Sequence, residues 1–180
     1  MIHLNNYGWN DKLSQLKQES TYNALTHGRI SIVHRTCYEV VSENGLFQCE
    51  LTGNMMYGKS DFELPCTGDW VLFQPFDEHK GIIVDMLPRE RTLYRKKNGT
   101  VADKQAIASY VDKAFIVQSL DDNFNVRRAE RFMVQILEEG IKPVLVLNKA
   151  DLGFDRQGIE EQVKHLERRM PVFFTSIHEP

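Results

Sequence analysis

Cysteine is scarce: Cys37, Cys49 and Cys66 are all that the 180 residues contain. An odd number with no C-x-x-C spacing makes neither a disulfide scaffold nor a zinc knuckle, and it suits a reducing cytosol. Long apolar runs are missing as well. None approaches the ~20 residues of a membrane span, so no membrane association is expected. The opening MIHLNNYGWNDKL lacks a basic segment followed by an apolar one, so no secretory signal is expected and a cytoplasmic location is. There is no excess of positive charge: the net charge is −3. A nucleic-acid partner would therefore need a local basic patch. Repeats and low-complexity tracts are absent. The six histidines are scattered, and His34, His79 and His165 share no metal-ligand spacing. No metal ligand and no catalytic residue is assigned.

What is present has the balance of a soluble globular protein, 42% hydrophobic and 26% charged, in a length that suits one ordinary domain or two small ones. Residues 1–27 are polar with spaced apolar positions (Leu13, Leu16, Tyr22) and read as an N-terminal helical segment. From Gly28 the texture is short, β-branched and alternating: RISIV, TCYEVVS, LFQCEL, WVLFQ and GIIVDML. ENG at 43–45 and DEHK supply turns. Five short strands fit an OB-fold barrel, with an SH3-like barrel as the near competitor. Trp70 is expected in its core. The barrel and a basic exit segment occupy 28–97.

Residues 98–180 read as a partial α/β domain. FIVQSL is a strand-like apolar run, PVLVL a continuous apolar strand of the kind buried on both faces of a parallel sheet, and PVFFTS a further buried strand. Between them lies a helix with Ala129, Phe132, Met133, Ile136 and Leu137 on one stripe, closed by Gly140. A second helix is marked by Ile159, Val163, Leu166 and Met170. Asp121 and Asp122 read as the turn into the first helix.

The chemistry gathers where these strands end. VLVLNKADL places Asn148, Lys149 and Asp151 just past a buried strand, the edge where open α/β sheets bind ligands. N-K-x-D there resembles the base-recognition motif of GTPases. An aspartate carboxylate accepts two hydrogen bonds from guanine's ring N–H and amine, whereas adenine presents the opposite pattern. The lysine stem can lie along the base plane. Ser176 and Ile177, after the next strand, stand where GTPases present a backbone N–H to the guanine carbonyl. The competing reading is a polar loop after a core strand.

A literal phosphate-loop pattern also occurs, Gly53 to Ser60 in GNMMYGKS. Its context is wrong. It follows an alternating strand with a charged Glu50, and Pro65 and Gly68 forbid a long helix after it. No D-x-x-G motif follows. Lys59 and Ser60 therefore read as a solvated barrel loop.

A guanine-reading end without a phosphate-reading end is the order found in circularly permuted GTPases. The stretches NYGWND, GRISIVHRTCYEV, TGDWVLF, IIVDMLPRERTLYRK, KQAIASYVD, FIVQSLDDNFNVRRAERFMVQILEEGIKPVLVLNKADL and FFTSIHE resemble the N-terminal half of the RsgA type, ribosome small subunit-dependent GTPase A. The chain departs from that pattern near Ser109–Tyr110, where an Asn commonly stands. The resemblance implies an OB-fold followed by a truncated, circularly permuted P-loop GTPase domain. The phosphate loop, the switches and the family's zinc site would lie outside this chain, and an N-terminal fragment is expected. It further implies GTP with Mg²⁺ in the full-length protein, GTP hydrolysis there but not by this chain alone, and a part in small-subunit maturation. Its partners would be the small ribosomal subunit with its rRNA and GTP or GDP, and a monomer is expected. PRERTLYRKK then becomes the RNA-contacting segment through Arg89, Arg91, Tyr94, Arg95, Lys96 and Lys97, basic residues interleaved with an aromatic. The alternatives are an RNA-binding module with a vestigial nucleotide domain, and a conventional small GTPase using Gly53–Ser60.

Overall fold

Alternation of apolar and polar residues makes the first half of the chain a barrel. The computed structural model describes residues 1–57, 59–96, 104–152 and 155–178. The chain divides into two units, Met1–Tyr110 and Val111–Pro180.

In the first unit a 3-10 turn, Leu4–Tyr7, precedes helix α1, Asp11–Glu19. The Asn10 side chain caps α1 by accepting from the Leu13 amide at 3.1 Å, which satisfies one of the free N–H groups of the first turn. Strands β1 (Thr26–Val33), β2 (Tyr38–Ser42), β3 (Gly45–Leu51), β4 (Trp70–Asp77) and β5 (Lys80–Met86) close in the order β1-β2-β3-β5-β4. β3 and β5 run parallel and the other described barrel pairs antiparallel. This is an OB-fold. Gly28 lets β1 approach β2, because a Cβ there would lie 2.5 Å from Val40 Cγ1 and 2.7 Å from the Val41 carbonyl.

Alternate residues fill the barrel: Ile30, Val40, Phe47, Cys49, Phe73 and Ile83 are all buried. A second cluster joins Leu4 and Leu13 to Val41, Trp70, Leu72 and Leu87, so the N-terminal segment packs on the outer face of β2 and β4, whose alternate residues Val40, Val71 and Phe73 point into the barrel. Trp70 is 1% exposed and meets Trp9 edge-on at 4.9 Å. Each such large apolar side chain contributes about 1.5–3 kcal/mol by leaving water.

Two elements differ from the sequence reading. Gly53–Met56 is a single helical turn, α2, because Met55 drops into the barrel core. Lys59 and Ser60 are exposed as expected. The Ser60 amide and hydroxyl both donate to the Glu63 carboxylate, at 2.9 and 2.8 Å. The basic exit segment is not an open linker: β6 (Leu93–Lys96) pairs antiparallel with β7 (Lys104–Ala108). That hairpin belongs to the first unit, which runs on to Tyr110, past the boundary expected after residue 97.

The second unit is a parallel sheet. Strands β8 (Lys113–Ser119), β9 (Lys142–Asn148) and β10 (Val172–Thr175) lie in the order β10-β9-β8, with helix α3 (Val126–Glu138) and helix α4 (Arg156–Val163) between them in sequence. α3 buries Ala129, Met133 and Ile136, while Phe132 and Leu137 stay exposed. Gln118 exchanges hydrogen bonds with the backbone of Asn125, the α3 cap, so α3 covers the face of β8 that bears Ile116 and Gln118. The opposite face is open: Phe115 is 64%, Val117 61% and Phe173 54% exposed. The expectation of burial on both faces thus holds at β9, while β10, expected to be buried, alternates as β8 does.

Candidate functional site

Parallel register brings three strand ends together. Ser119 pairs with Asn148, and Asn148 with Thr175, so β8, β9 and β10 finish side by side. Backbone bonds tie the exits. The Leu120 amide donates to the Asn148 carbonyl at 2.8 Å, and the Ala150 amide to the Thr175 carbonyl at 3.0 Å. The Thr175 hydroxyl donates to Asn148 Oδ1 at 3.3 Å. This carboxyl edge is where a ligand sits in an open α/β sheet.

Lys149 leaves the strand at φ 63°, in the left-handed region that few non-glycine residues occupy. The turn sends its side chain back along the edge, where Nζ donates to Asp121 Oδ2 at 2.8 Å. Hydrogen bonds from Lys149, the Asn123 amide and the Ser119 hydroxyl hold the Asp121 carboxyl well down, at about 2. Asp151 is depressed as well, first by the Ser176 hydroxyl, which donates to its Oδ1, and then by its own backbone amide. It is therefore ionised at neutral pH, an acceptor pair with one oxygen held by Ser176. The His178 amide donates to Ser176 Oγ at 3.0 Å, and Ile177 is 86% exposed.

The structure thus gathers Asn148, Lys149, Asp151, Ser176 and Ile177 at one edge of one sheet. A planar ligand with two adjacent N–H donors matches the Asp151 carboxylate. Asp121 was missed as a site residue. It does form the expected turn, its carbonyl accepting from the Phe124 amide at 2.8 Å. Its place at the end of β8, level with the motif, was the available signal.

The basic segment is divided by the structure. The Arg89 guanidinium is only 12% exposed and Asp69 is fully buried. Nε donates to Asp69 Oδ1 at 2.9 Å and Nη2 to Oδ2 at 2.6 Å. Nη1 and Nη2 also donate to the carbonyls of Phe62 and Leu64. Arg89 clamps the loop before β4, and its donors face protein, not solvent. Beside it, burial first and Asp69 second push the Cys66 thiol up to about 12, which leaves it protonated and unreactive.

Arg91 sits 3.3 Å from Glu90. Tyr94 meets the Phe62 ring edge-on at 5.4 Å and has the Lys104 ammonium over its face at 4.8 Å. Arg95 bonds Gln105 at 3.1 Å and lines a cavity of about 460 Å³ with His34, Arg35, Tyr38 and Thr67. The sequence reading missed Arg35, which lies in the turn between β1 and β2. Of Lys96 only the backbone is described, and Lys97 lies outside the described residues.

Among the described residues no three His, Cys, Asp or Glu side chains converge as a metal site.

Residues 86–180 match the profile of the RsgA GTPase family. The chain is 70% identical over 178 residues to small ribosomal subunit biogenesis GTPase RsgA 1 of Bacteroides thetaiotaomicron, covering 99% of this chain and 50% of that protein. It is 30% identical to RsgA of Opitutus terrae, over 94% of this chain and 49% of that one. Among solved structures it is similar to YloQ, a circularly permuted GTPase, with a TM-score of 0.60 and 21% identity over 89% of this chain and 54% of that one. YjeQ from Thermotoga maritima gives a TM-score of 0.59 at 23% identity, over 84% of this chain and 51% of that one. These two establish the fold. The chain spans about half the length of the curated relatives it matches.

Proposed function

This chain belongs to the RsgA GTPase family, and from that premise we propose that it supplies the guanine-reading half of a permuted GTPase acting in maturation of the small ribosomal subunit. Its relatives are named as biogenesis GTPases of that subunit. In a protein of the relatives' full length, Asp151 receives guanine's ring N–H and amine, Lys149 lies along the base plane, and the backbone after Ser176 meets the guanine carbonyl. Asn148 fixes the neighbouring loop. GTP is held at this edge, and its hydrolysis needs groups around the β- and γ-phosphates that these residues do not supply. The OB-fold docks on rRNA through the groove carrying Arg35 and Arg95, with Arg91 and Tyr94 beside it. The protein works in the cytoplasm as a monomer.

The observation that carries this reading is the register at the strand ends, which presents an ionised Asp151 beside Asn148, Lys149 and Ser176. The test is competition on the full-length protein loaded with a fluorescent guanine nucleotide. GDP and GTP should displace it, and ADP should not at a hundredfold excess. Equal displacement by ADP would remove the base-reading role and leave the rRNA-binding barrel as the working part.

A further inference from the structure

We propose that Asp121 is a positioning residue for base recognition: it holds the Lys149 side chain across the strand ends, so that the aliphatic stem is a fixed floor for the guanine ring. This rests on the guanine reading of Asn148–Asp151.

Asp121 follows the end of β8 by two residues, and Lys149 follows the end of β9 by one, on neighbouring parallel strands whose last residues pair. Asp121 does not swing freely. Its Oδ1 accepts from the Asn123 amide at 3.0 Å, the Ser119 hydroxyl donates to the same carboxyl, and its carbonyl closes the turn through Phe124. What remains is one oxygen, Oδ2, aimed at Lys149 Nζ at 2.8 Å. Lys149 is anchored from its other end by a left-handed backbone turn at φ 63°. A four-carbon stem fixed at both ends has lost its rotamer freedom before any ligand arrives, so that cost is removed from the binding step.

The pair is half exposed, 26% at Asp121 and 51% at Lys149. Such pairs add little to fold stability. Their use here is conformational, which separates this role from a structural one. Removing Asp121 should weaken nucleotide binding and leave the melting temperature alone.

The experiment titrates labelled GDP into the full-length protein and its D121A, D121E, K149A and D121A/K149A variants. D121A should lose about 5-fold in affinity, the scale of immobilising one long side chain on binding. D121E should recover most of it. The double variant should bind as K149A does, since without the lysine the anchor has nothing to hold. In about 1 M salt, where the pair is screened, wild type and D121A should converge. A D121A loss of equal size in both backgrounds, or a melting shift accompanying it, would overturn the proposal by placing the effect in the turn itself. A weakened K149A beside an unchanged D121A would overturn it too, and would leave the guanine reading standing. If K149A and D151N both bind GDP as the parent does, the guanine reading fails and takes this inference with it.

Discussion

At the scale of single residues, the proposed guanine selectivity rests on the Asp151 carboxylate. Asp151→Asn exchanges an acceptor pair for one acceptor and one donor, which conflicts with guanine's two donors but meets the oxygen of xanthine. In the full-length protein the change should weaken GTP binding by about 2–4 kcal/mol, the cost of a mispaired polar group in a site built to hydrogen-bond. It should raise the affinity for xanthosine triphosphate, and equilibrium titration of the two nucleotides reads both. The pH window follows from Asp121, whose carboxyl sits at about 2 against an ordinary 3.8. A lowered folded pKa gives a contribution that is complete above 3.8 and lost as pH falls toward 2. Nucleotide affinity should therefore show no step from this pair between neutrality and pH 5. Asn148, Lys149 and Asp151 were legible because the motif directly follows an apolar strand. Asp121 was not, because a pairing between neighbouring strands is a tertiary fact. Arg89 misled for the same reason. In sequence it is one cation among several, and only the fold shows Asp69 buried against it. Arg89→Ala leaves that carboxylate buried and unpaired, and should cost about 3–5 kcal/mol in urea unfolding of the chain.

Elements were legible in proportion to how far their own residues decide them. The five barrel strands alternate, and the alternation survives folding because one side of each strand faces Phe47, Phe73 and Ile83. The β6–β7 hairpin was missed because Leu93–Lys96 offers two charges in four residues and no apolar face of its own; its pairing with Lys104–Ala108 supplies what the composition does not. α2 was missed because one turn carries no period, and Met55 forms it by entering the core. The hairpin changes the expected RNA surface. With Arg89 committed to Asp69 and the Lys96 and Lys97 side chains outside the described residues, the described arginines proposed to meet phosphate are Arg35, Arg91 and Arg95. Three phosphate contacts on single-stranded RNA give a slope of log K against log salt of about −2. Replacing the three by alanine should flatten that slope, measured by salt titration of small-subunit binding. An unchanged slope would place the ribosome-facing surface away from this groove.

For the whole molecule the telling feature is an uncovered sheet face. A parallel sheet is ordinarily packed on both sides, and here α3 covers one while Phe115, Val117 and Phe173 stand in solvent on the other. Below them, at the ends of the strands opposite the Asn148 edge, Lys113, Lys142 and Pro171 surround a cavity of about 510 Å³ that Phe115 and Phe173 also line. Burying Phe115, Val117 and Phe173 would be worth about 1.5–3 kcal/mol each. The proposed base-reading edge has no triphosphate cradle beside it among the described residues. The helical turn at Gly53–Met56 precedes Lys59 instead of following it, and the Ser60 donors are turned onto Glu63. So the 180-residue chain alone should bind an apolar-surface dye more strongly than a protein of the relatives' full length. It should also release no phosphate from GTP above buffer background, since rate acceleration in these enzymes comes from groups around the β- and γ-phosphates. Dye fluorescence and a phosphate-release assay on the purified chain measure the two. Turnover by the chain alone that Lys59→Ala abolishes would reinstate Gly53–Ser60 as a phosphate loop and overturn the permuted reading.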